Sequence, residues 1–432
     1  MANGVSSARE AALYVLARCR RFDAWSQQTL SAAAEKFSLD ERDAALCTKL
    51  CLDVLQNAAL CDYYIGCYSS VPVSKIEPRL LDILRLGVCQ LLFMDKIPVS
   101  AAVNEAVEQT KRSGSRAGGL VNAVLRRIAE NRNDLPKIPN GGTAQELSIR
   151  FSHPLWLCER MVSTLGYDGA QAFFAANNRV PQLTLSVNTR YGNAEALAAR
   201  LSLAGVRAHV SPLCPVSVCV ENEGNAAALP GFAAGEFFVQ DAAAAMSVLC
   251  AAPQKGMRIL DACSAPGGKS LLCASFMENE GEVLACDLHA KKLCLVEENA
   301  ARLGFDIIRT APMDASKPYD VLRESFDLVI ADVPCSGMGV IRKKPEIRYK
   351  DPKALAGLPE IQKRIADGLA ACVRPGGTLL YSTCTVFREE NEDVVEWFLS
   401  RHPDFILKEQ RLILPQDYDT DGFFYCRMKR NG

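Results

Sequence analysis

Two cysteines and a row of carboxylates, each just past an apolar run, are the residues of this 432-residue chain best placed to do chemistry. The run at 257–260 ends in Asp261 and leads into Cys263, Ser264, Ala265, Pro266, Gly267, Gly268 and Lys269. Apolar residues return at Leu271 and Leu272. That order reads as a buried strand, a tight turn and the start of a helix. Adjacent glycines admit backbone N–H groups close to a ligand, and a helix N-terminus favours a carboxylate or phosphate. The stretch matches neither GxGxxG nor GxxxxGK[ST], so it spells neither a dinucleotide fingerprint nor a P-loop. Three further runs lead to acids: 282–286 to Asp287, 306–310 to Asp314, and 326–331 to Asp332. Cys335 follows Asp332 in Pro-Cys-Ser-Gly, and Cys384 follows the run at 377–382 in Ser-Thr-Cys-Thr.

A sheet must hold these residues together. From residue 236 onward strand-like runs alternate with helix-like segments, notably 289–303 and 355–373. That alternation predicts an α/β, Rossmann-like domain with a largely parallel sheet and helices on both faces. Ligands of such sheets bind beyond the carboxyl ends of the strands. At that edge Asp287 suits a ribose diol and Asp314 an adenine amino group, which points to a nucleoside-bearing cofactor. With no GxGxxG and no triphosphate cradle, S-adenosylmethionine fits the loop and the acids better than NAD.

The cysteines turn the question from cofactor to reaction. Strands four and five are neighbours in S-adenosylmethionine-dependent doubly wound domains, so Cys335 and Cys384 are expected to face one crevice. A thiolate is strongly nucleophilic and also leaves readily. Added to C6 of a cytosine, it would place electron density on C5, an otherwise poor nucleophile. One cysteine can make that adduct while the other helps to resolve it. Asp332 can hydrogen-bond the N3/N4 edge of the base and stabilise charge in the adduct.

Composition bounds the rest. The length allows two or three domains, and 49% apolar and 23% charged residues are ordinary globular values. A formal net charge of −1 is no global basic signature, so any nucleic acid must be met by local patches. Eighteen cysteines are scattered with no CxxC and only four histidines, which suits small buried hydrophobes in a reducing compartment and implies no metal site. The opening MANGVSSARE has no signal-peptide core, and the longest apolar run, within 242–253, is too short to span a bilayer. A cytoplasmic monomer without membrane attachment is expected.

Residues 1–140 read as an all-α domain, with segments at 40–58, 75–93, 99–112 and 117–130 and caps at Ser38-Leu39-Asp40 and Ser100. Lys111, Arg112, Arg116, Arg126, Arg127 and Arg132 crowd one stretch against a single acid, Glu130. They form either a solvated helix face or a phosphate-contacting patch. The stretch 131–143 reads as a linker. Residues 141–235 read as a small α+β domain that begins with a helix-like stretch through Trp156 and Met161, with strands at 183–187 and 216–220 and a helix at 194–203. His153, before Pro154, has no evident partner and reads as structural.

With these residues in hand the chain resembles the RsmB/Sun family of RNA cytosine-C5 methyltransferases over nearly its whole length. DACSAPGGK at 261–269 is similar to the family's cofactor loop, DVPCSG at 332–337 to its first cysteine motif and STCT at 382–385 to its second. SHPLW at 152–156, NNR and SVNT in the middle region, FVQDAAA at 238–244 and DGFFYCRMKR at 421–430 resemble further signatures. Residues 1–130, including GGLVNAVLRR, look like an RNA-binding NusB-like domain. Val333 and Ser264 depart from alanines frequent in the family.

The resemblance implies Cys384 as the nucleophile, Cys335 as the residue that helps release product, and Asp332 between cofactor and base. It implies S-adenosylmethionine binding by residues 263–269 with Asp287, Asp314 and Asp332. It also implies one cytosine of 16S rRNA as target, free or within the small ribosomal subunit or its precursor, reached by flipping the base from its stack. Related catalytic domains modify tRNA or 23S rRNA, and NusB-like domains also serve binding proteins, so both stand as alternatives. A small-molecule methyltransferase would leave the cysteines and the helical domain unexplained.

Overall fold

In the computed structural model, which describes residues 7–22, 26–221, 225–317 and 319–432, the helical periodicity of the first part of the chain becomes eight helices among the described residues. They are α1 (Ser7–Phe22), α2 (Ser26–Lys36), α3 (Glu41–Tyr68), α4 (Pro78–Phe93), α5 (Val99–Arg112), α6 (Gly118–Glu130), α7 (Ala144–Phe151) and α8 (Leu155–Asn177). Residues 1–6, which carry much of the opening segment, lie outside the described residues. The chain divides into two units: residues 1–178 with 343–350, and residues 179–342 with 351–432.

The helical unit closes around Val15, Leu50, Ile65, Ile83, Leu84, Val124 and Leu125, all buried. Asp40 caps α3 by accepting the Asp43 N–H at 2.7 Å, as its position before the periodic run predicts. Ser100 is no cap: α5 begins one residue earlier, behind Pro98, whose ring fixes the entry angle. α3 is long and apolar enough to cross a membrane by length and composition alone, but its apolar side lies in the core of this unit.

α3 also runs ten residues past its expected end, across a break at Asn57 (φ −122°, ψ 16°). Such a break orphans backbone groups, which must find other partners. Ser152 Oγ accepts the N–H groups of Ala59 and Leu60 at 2.7 and 3.3 Å. Arg348, fully buried, donates to the carbonyls of Gln56 and Ser152 at 3.0 Å each and to Asn178 Oδ1 at 3.1 Å. Tyr349 OH donates to Leu55 O at 2.8 Å. The segment 343–350 therefore belongs structurally to the helical unit, although it lies in sequence among the strands. His153 is buried beside the same break, its Nδ1 2.7 Å from Phe151 O and its ring 4.5 Å from Phe174.

The larger unit holds two sheets. β1 (Leu183–Val187), α9 (Ala194–Leu203), β2 (Ala208–Val210), β3 (Ser217–Val220) and β4 (Phe237–Val239) form an antiparallel sheet of order β2-β3-β1-β4. α10 (Ala242–Ala251) follows, and then comes the alternation expected: β5 (Arg258–Asp261), α11 (Gly268–Phe276), β6 (Glu282–Asp287), α12 (Ala290–Leu303), β7 (Ile308–Pro312) and β8 (Phe326–Asp332). α13 (Pro352–Leu355), α14 (Leu358–Ala370), β9 (Val373–Thr383), α15 (Glu392–Arg401), β10 (Phe405–Ile413), α16 (Pro415–Tyr418) and β11 (Phe423–Arg430) complete the chain.

The second sheet has the order β10-β11-β9-β8-β5-β6-β7. β5 to β9 run parallel, as the alternation predicts, and β11 and β10 add an antiparallel edge that makes the sheet mixed. Side chains alternate across it. Ile259, Leu328, Ile330 and Leu380 face the layer of α10, α11 and α12, while Leu260, Val329, Leu379 and Tyr381 face Ile365, Leu369 and Phe398 of α14 and α15.

Candidate active site

The carboxyl ends of β5, β8 and β9 meet at one edge, because β8 lies between the other two. Asp332 pairs with Ser382 across the ladder, and the Val333 N–H still bonds Ser382 O at 3.1 Å, so the two strands stay in register to their tips. Beyond that point Cys335 and Cys384 converge, with their Sγ atoms 3.2 Å apart, both half-buried. The approach depends on two glycines. Gly339 donates to Cys384 O at 3.0 Å and its own carbonyl accepts the Gly422 N–H at 2.8 Å. A Cβ on Gly339 would sit 1.9 Å from Gly422 O, so only glycine fits there.

Asp332 is held through both oxygens. Ser382 Oγ donates to Oδ1 at 2.7 Å and Lys269 Nζ lies 2.6 Å from Oδ2. Lys269 stretches from the first turn of α11, its side chain largely buried and its ammonium 5.0 Å from the centre of the Phe423 ring. The pair thus fixes a carboxylate beside the two sulfurs.

The sulfurs are electrostatically unequal. The hydrogen bond with Cys335 lowers the pKa of Cys384, and Lys269 adds to this, against burial and the carboxylates of Asp332 and Asp421. The same bond, burial, and the charges of Cys384 and Glu390 raise Cys335. Of the two sulfurs, Cys384 is therefore the more acidic. Cys263 is different: burial and the carboxylates of Asp261, Asp332 and Asp287 push its thiol far up, so it stays protonated.

Cys263, Ser264, Ala265, Pro266, Gly268 and Lys269 line a cavity of about 460 Å³ together with Asp261, Asp332, Phe238 and Gln240. Gly267 turns the chain with φ +106°, and Ser264 N–H bonds Cys286 O at 2.7 Å, which locks the loop onto β6. Asp261 is fully buried, accepts from Ser270 Oγ at 2.7 Å, and has its pKa pushed up to about 7 by desolvation. Buried Ser264 Oγ and Gln240 Nε2 have no hydrogen-bond partner among the described residues. Buried polar atoms ordinarily find one. Orphaned donors beside a glycine turn and a helix N-terminus fit a ligand that carries a carboxylate, as S-adenosylmethionine does.

Asp287 and Asp314 end neighbouring strands but do not line this cavity. Asp287 accepts the His289 N–H at 2.9 Å. Asp314 accepts from Ser316 N and Oγ at 3.1 and 2.6 Å and lies 3.2 Å from Lys317, and the Ser316 bonds hold its carboxyl below its usual range. Both carboxylates therefore stand on the same sheet edge as the cavity, outside its wall. Ser382, Gln240 and Phe423 lie in the stretches STCT, FVQDAAA and DGFFYCRMKR, but the sequence assigns them no role. The role of Ser382 becomes legible as the strand partner of Asp332 once the β8–β9 register is known.

Three family models match the chain in turn: the NusB family over residues 6–130, the ferredoxin-like domain of RsmF/B-like methyltransferases over 153–227, and the 16S rRNA methyltransferase RsmB/F over 248–429. The probable ribosomal RNA small subunit methyltransferase B of Bacillus subtilis is 35% identical, with 99% of each chain covered. The ribosomal RNA small subunit methyltransferase B of Salmonella heidelberg is 34% identical, over 90% of this chain and 91% of that one. Among solved structures, the crystal structure of PH0851 matches with a TM-score of 0.80 and 27% identity over the full length of both chains. NSun6 from Pyrococcus horikoshii, solved with SFG, shares the fold at a TM-score of 0.58 and 20% identity, over 63% of this chain and 97% of that one. With the motif loops meeting at one sheet edge and relatives similar from end to end, the chain belongs to the RsmB/F family of S-adenosylmethionine-dependent 16S rRNA methyltransferases.

Proposed function

We propose that this chain methylates C5 of a cytosine in 16S rRNA through a covalent bond between Cys384 and C6 of the base. The observation that carries the reading is the 3.2 Å approach of Cys335 and Cys384 beside Asp332. The Cys384 thiolate attacks C6, and the electron pair of the C5=C6 bond moves to make C5 nucleophilic. S-adenosylmethionine, when bound, supplies an electrophilic methyl carbon. Asp332, held by Lys269 and Ser382, accepts a hydrogen bond from the exocyclic amine and orients the ring. Once C5 carries the methyl, its proton passes to solvent, the C–H electron pair re-forms the C5=C6 bond and Cys384 leaves as a thiolate, a step that Cys335 assists.

Residues 263–269 and Asp332 would hold the methyl donor, and Asp287 and Asp314 would bind its adenosine at the neighbouring strand ends. The RNA itself would be met by the helical unit, where Lys111, Arg112, Arg116, Arg126, Arg127 and Arg132 are all exposed. The test has two arms. Mapping of 5-methylcytosine after incubation with 16S rRNA, 23S rRNA and tRNA is expected to find one cytosine of 16S rRNA, and product on tRNA alone would defeat the substrate assignment. Cys335→Ala is expected to accumulate an RNA–protein species that survives SDS, and Cys384→Ala to form neither adduct nor product. Full turnover by Cys384→Ala would remove the covalent route.

A further inference from the structure

Glu390 lies behind the Cys335 turn and touches neither sulfur. It is 2% exposed. Its Oε2 accepts the Ser336 N–H at 2.8 Å and Gln362 Nε2 at 2.9 Å, and Gln362 Nε2 also reaches Pro334 O at 3.0 Å. The peptide groups on both sides of Cys335 are therefore clamped by one carboxylate–amide pair. Tyr381 OH donates to the Glu390 carbonyl at 2.6 Å and fixes the residue from β9. Among the described residues no lysine or arginine pairs with this carboxylate. A buried charge without a counter-ion costs several kcal/mol, and the neutral amide oxygen of a glutamine could accept the same two N–H groups. The hydrogen bonds alone do not explain why the side chain here is an acid.

We propose that Glu390 is a positioning residue that assigns the single proton of the sulfur pair, keeping it on Cys335 so that Cys384 is the thiolate. The inference rests on the reading of Cys384 as nucleophile. An anion against the peptide group that follows Cys335 disfavours a second negative charge there and leaves Cys335 as the hydrogen-bond donor. The other charged and titratable groups facing the pair are Asp332 on β8, Tyr381 on β9, Lys269 on α11 and Asp421 before β11. Of these, only Glu390 bonds the backbone beside Cys335.

The test is alkylation of the full-length chain by iodoacetamide across a pH series, with Cys335 and Cys384 read separately by peptide mass. Neither RNA nor methyl donor is present, so the result stands apart from the success of methyl transfer. In the unsubstituted chain Cys384 is expected to react at lower pH than Cys335. In Glu390→Gln the midpoint for Cys335 is expected to fall by about one pH unit, a tenfold faster reaction at fixed pH, and the difference between the two sulfurs to shrink. Gln362→Leu, which loosens the clamp but keeps the charge, is expected to leave the Cys335 midpoint high. An unchanged Cys335 midpoint in Glu390→Gln, or an equal fall in Gln362→Leu, would overturn the proposal. Should Glu390→Gln fail to fold, Glu390→Met, neutral and of similar volume, is read in its place, and an unchanged Cys335 midpoint in that variant overturns the proposal.

Discussion

Lys269 and Asp332 form an ion pair at 2.6 Å across the crevice between two motif loops, the lysine side chain 9% exposed and the aspartate 32%. Removing one partner of a fully buried pair costs about 3–5 kcal/mol. Here the carboxylate keeps a third of its surface in water and still has Ser382, so Lys269→Met is expected to lower stability by roughly 1–3 kcal/mol. Lys269→Met with Asp332→Asn should recover part of that loss in urea unfolding. Strictly additive effects would mean the pair is not coupled.

Asp261 gives the larger unit a pH dependence of unusual sign. Its folded pKa is about 7, against roughly 3.9 in an unfolded chain. The folded state therefore binds the proton more tightly. The stability this group adds is complete below about pH 3.9 and is lost as the pH rises through about 7. Asp261→Asn, which can still accept from Ser270, removes that slope. Relative to the unsubstituted chain, the variant is expected to gain roughly 2 kcal/mol between pH 5 and pH 8. Parallel stability curves in urea at the two pH values would show that Asp261 is ionised throughout.

The motif loops were readable from sequence because their chemistry is local: a strand, a turn of small residues and a helix start within fourteen residues at 257–270. The meeting of Cys335 and Cys384 was readable for a different reason, the adjacency of strands four and five in doubly wound sheets. What escaped was non-local or polar. β10, FILKEQRLI, is an edge strand whose charged residues hide its alternation. α3 was cut short because Asn57 and its polar neighbours break the periodicity, and the residues that repair the break lie at Ser152 and Arg348, some 90 to 290 positions away in sequence. Glu390 belongs to the same class, since nothing in FREENED marks which of its acids turns inward.

Arg348 should therefore matter to the helical unit more than its position among the strands suggests. Among the described residues its guanidinium meets three acceptors and no carboxylate, and burial lowers its pKa to about 10. Arg348→Ala leaves the Gln56 and Ser152 carbonyls unpaired in the interior, at an expected cost of about 3 kcal/mol or more. Arg348→Lys should not rescue, because one ammonium cannot span a fork of acceptors. Hydrogen exchange on the full chain is expected to rise along α3 around residues 55–60 in both variants. Unchanged protection there would show that the break is held by Ser152 alone.

The basic stretch of α5 and α6 separates two readings that the sequence left open. Arg126 and Arg127 are exposed; Arg126 donates to Asn122 Oδ1 at 3.1 Å within α6, and Arg127 reaches the Tyr68 carbonyl at 3.4 Å. A solvated face would tolerate charge reversal there, since exposed charges contribute little to folding. A phosphate-contacting face would not: each lost contact releases one counterion fewer on binding and flattens the dependence of affinity on salt. Arg126→Glu with Arg127→Glu is expected to weaken RNA binding by at least tenfold at moderate salt and to reduce the slope of log K against log salt by about 2. Fluorescence anisotropy with a 16S rRNA fragment across a salt series reads both quantities. Because the substitutions lie in α6, far in sequence from either cysteine, donor binding should be unaffected, and a fall in affinity with an unchanged salt slope would point to misfolding of the helix rather than to lost phosphate contacts.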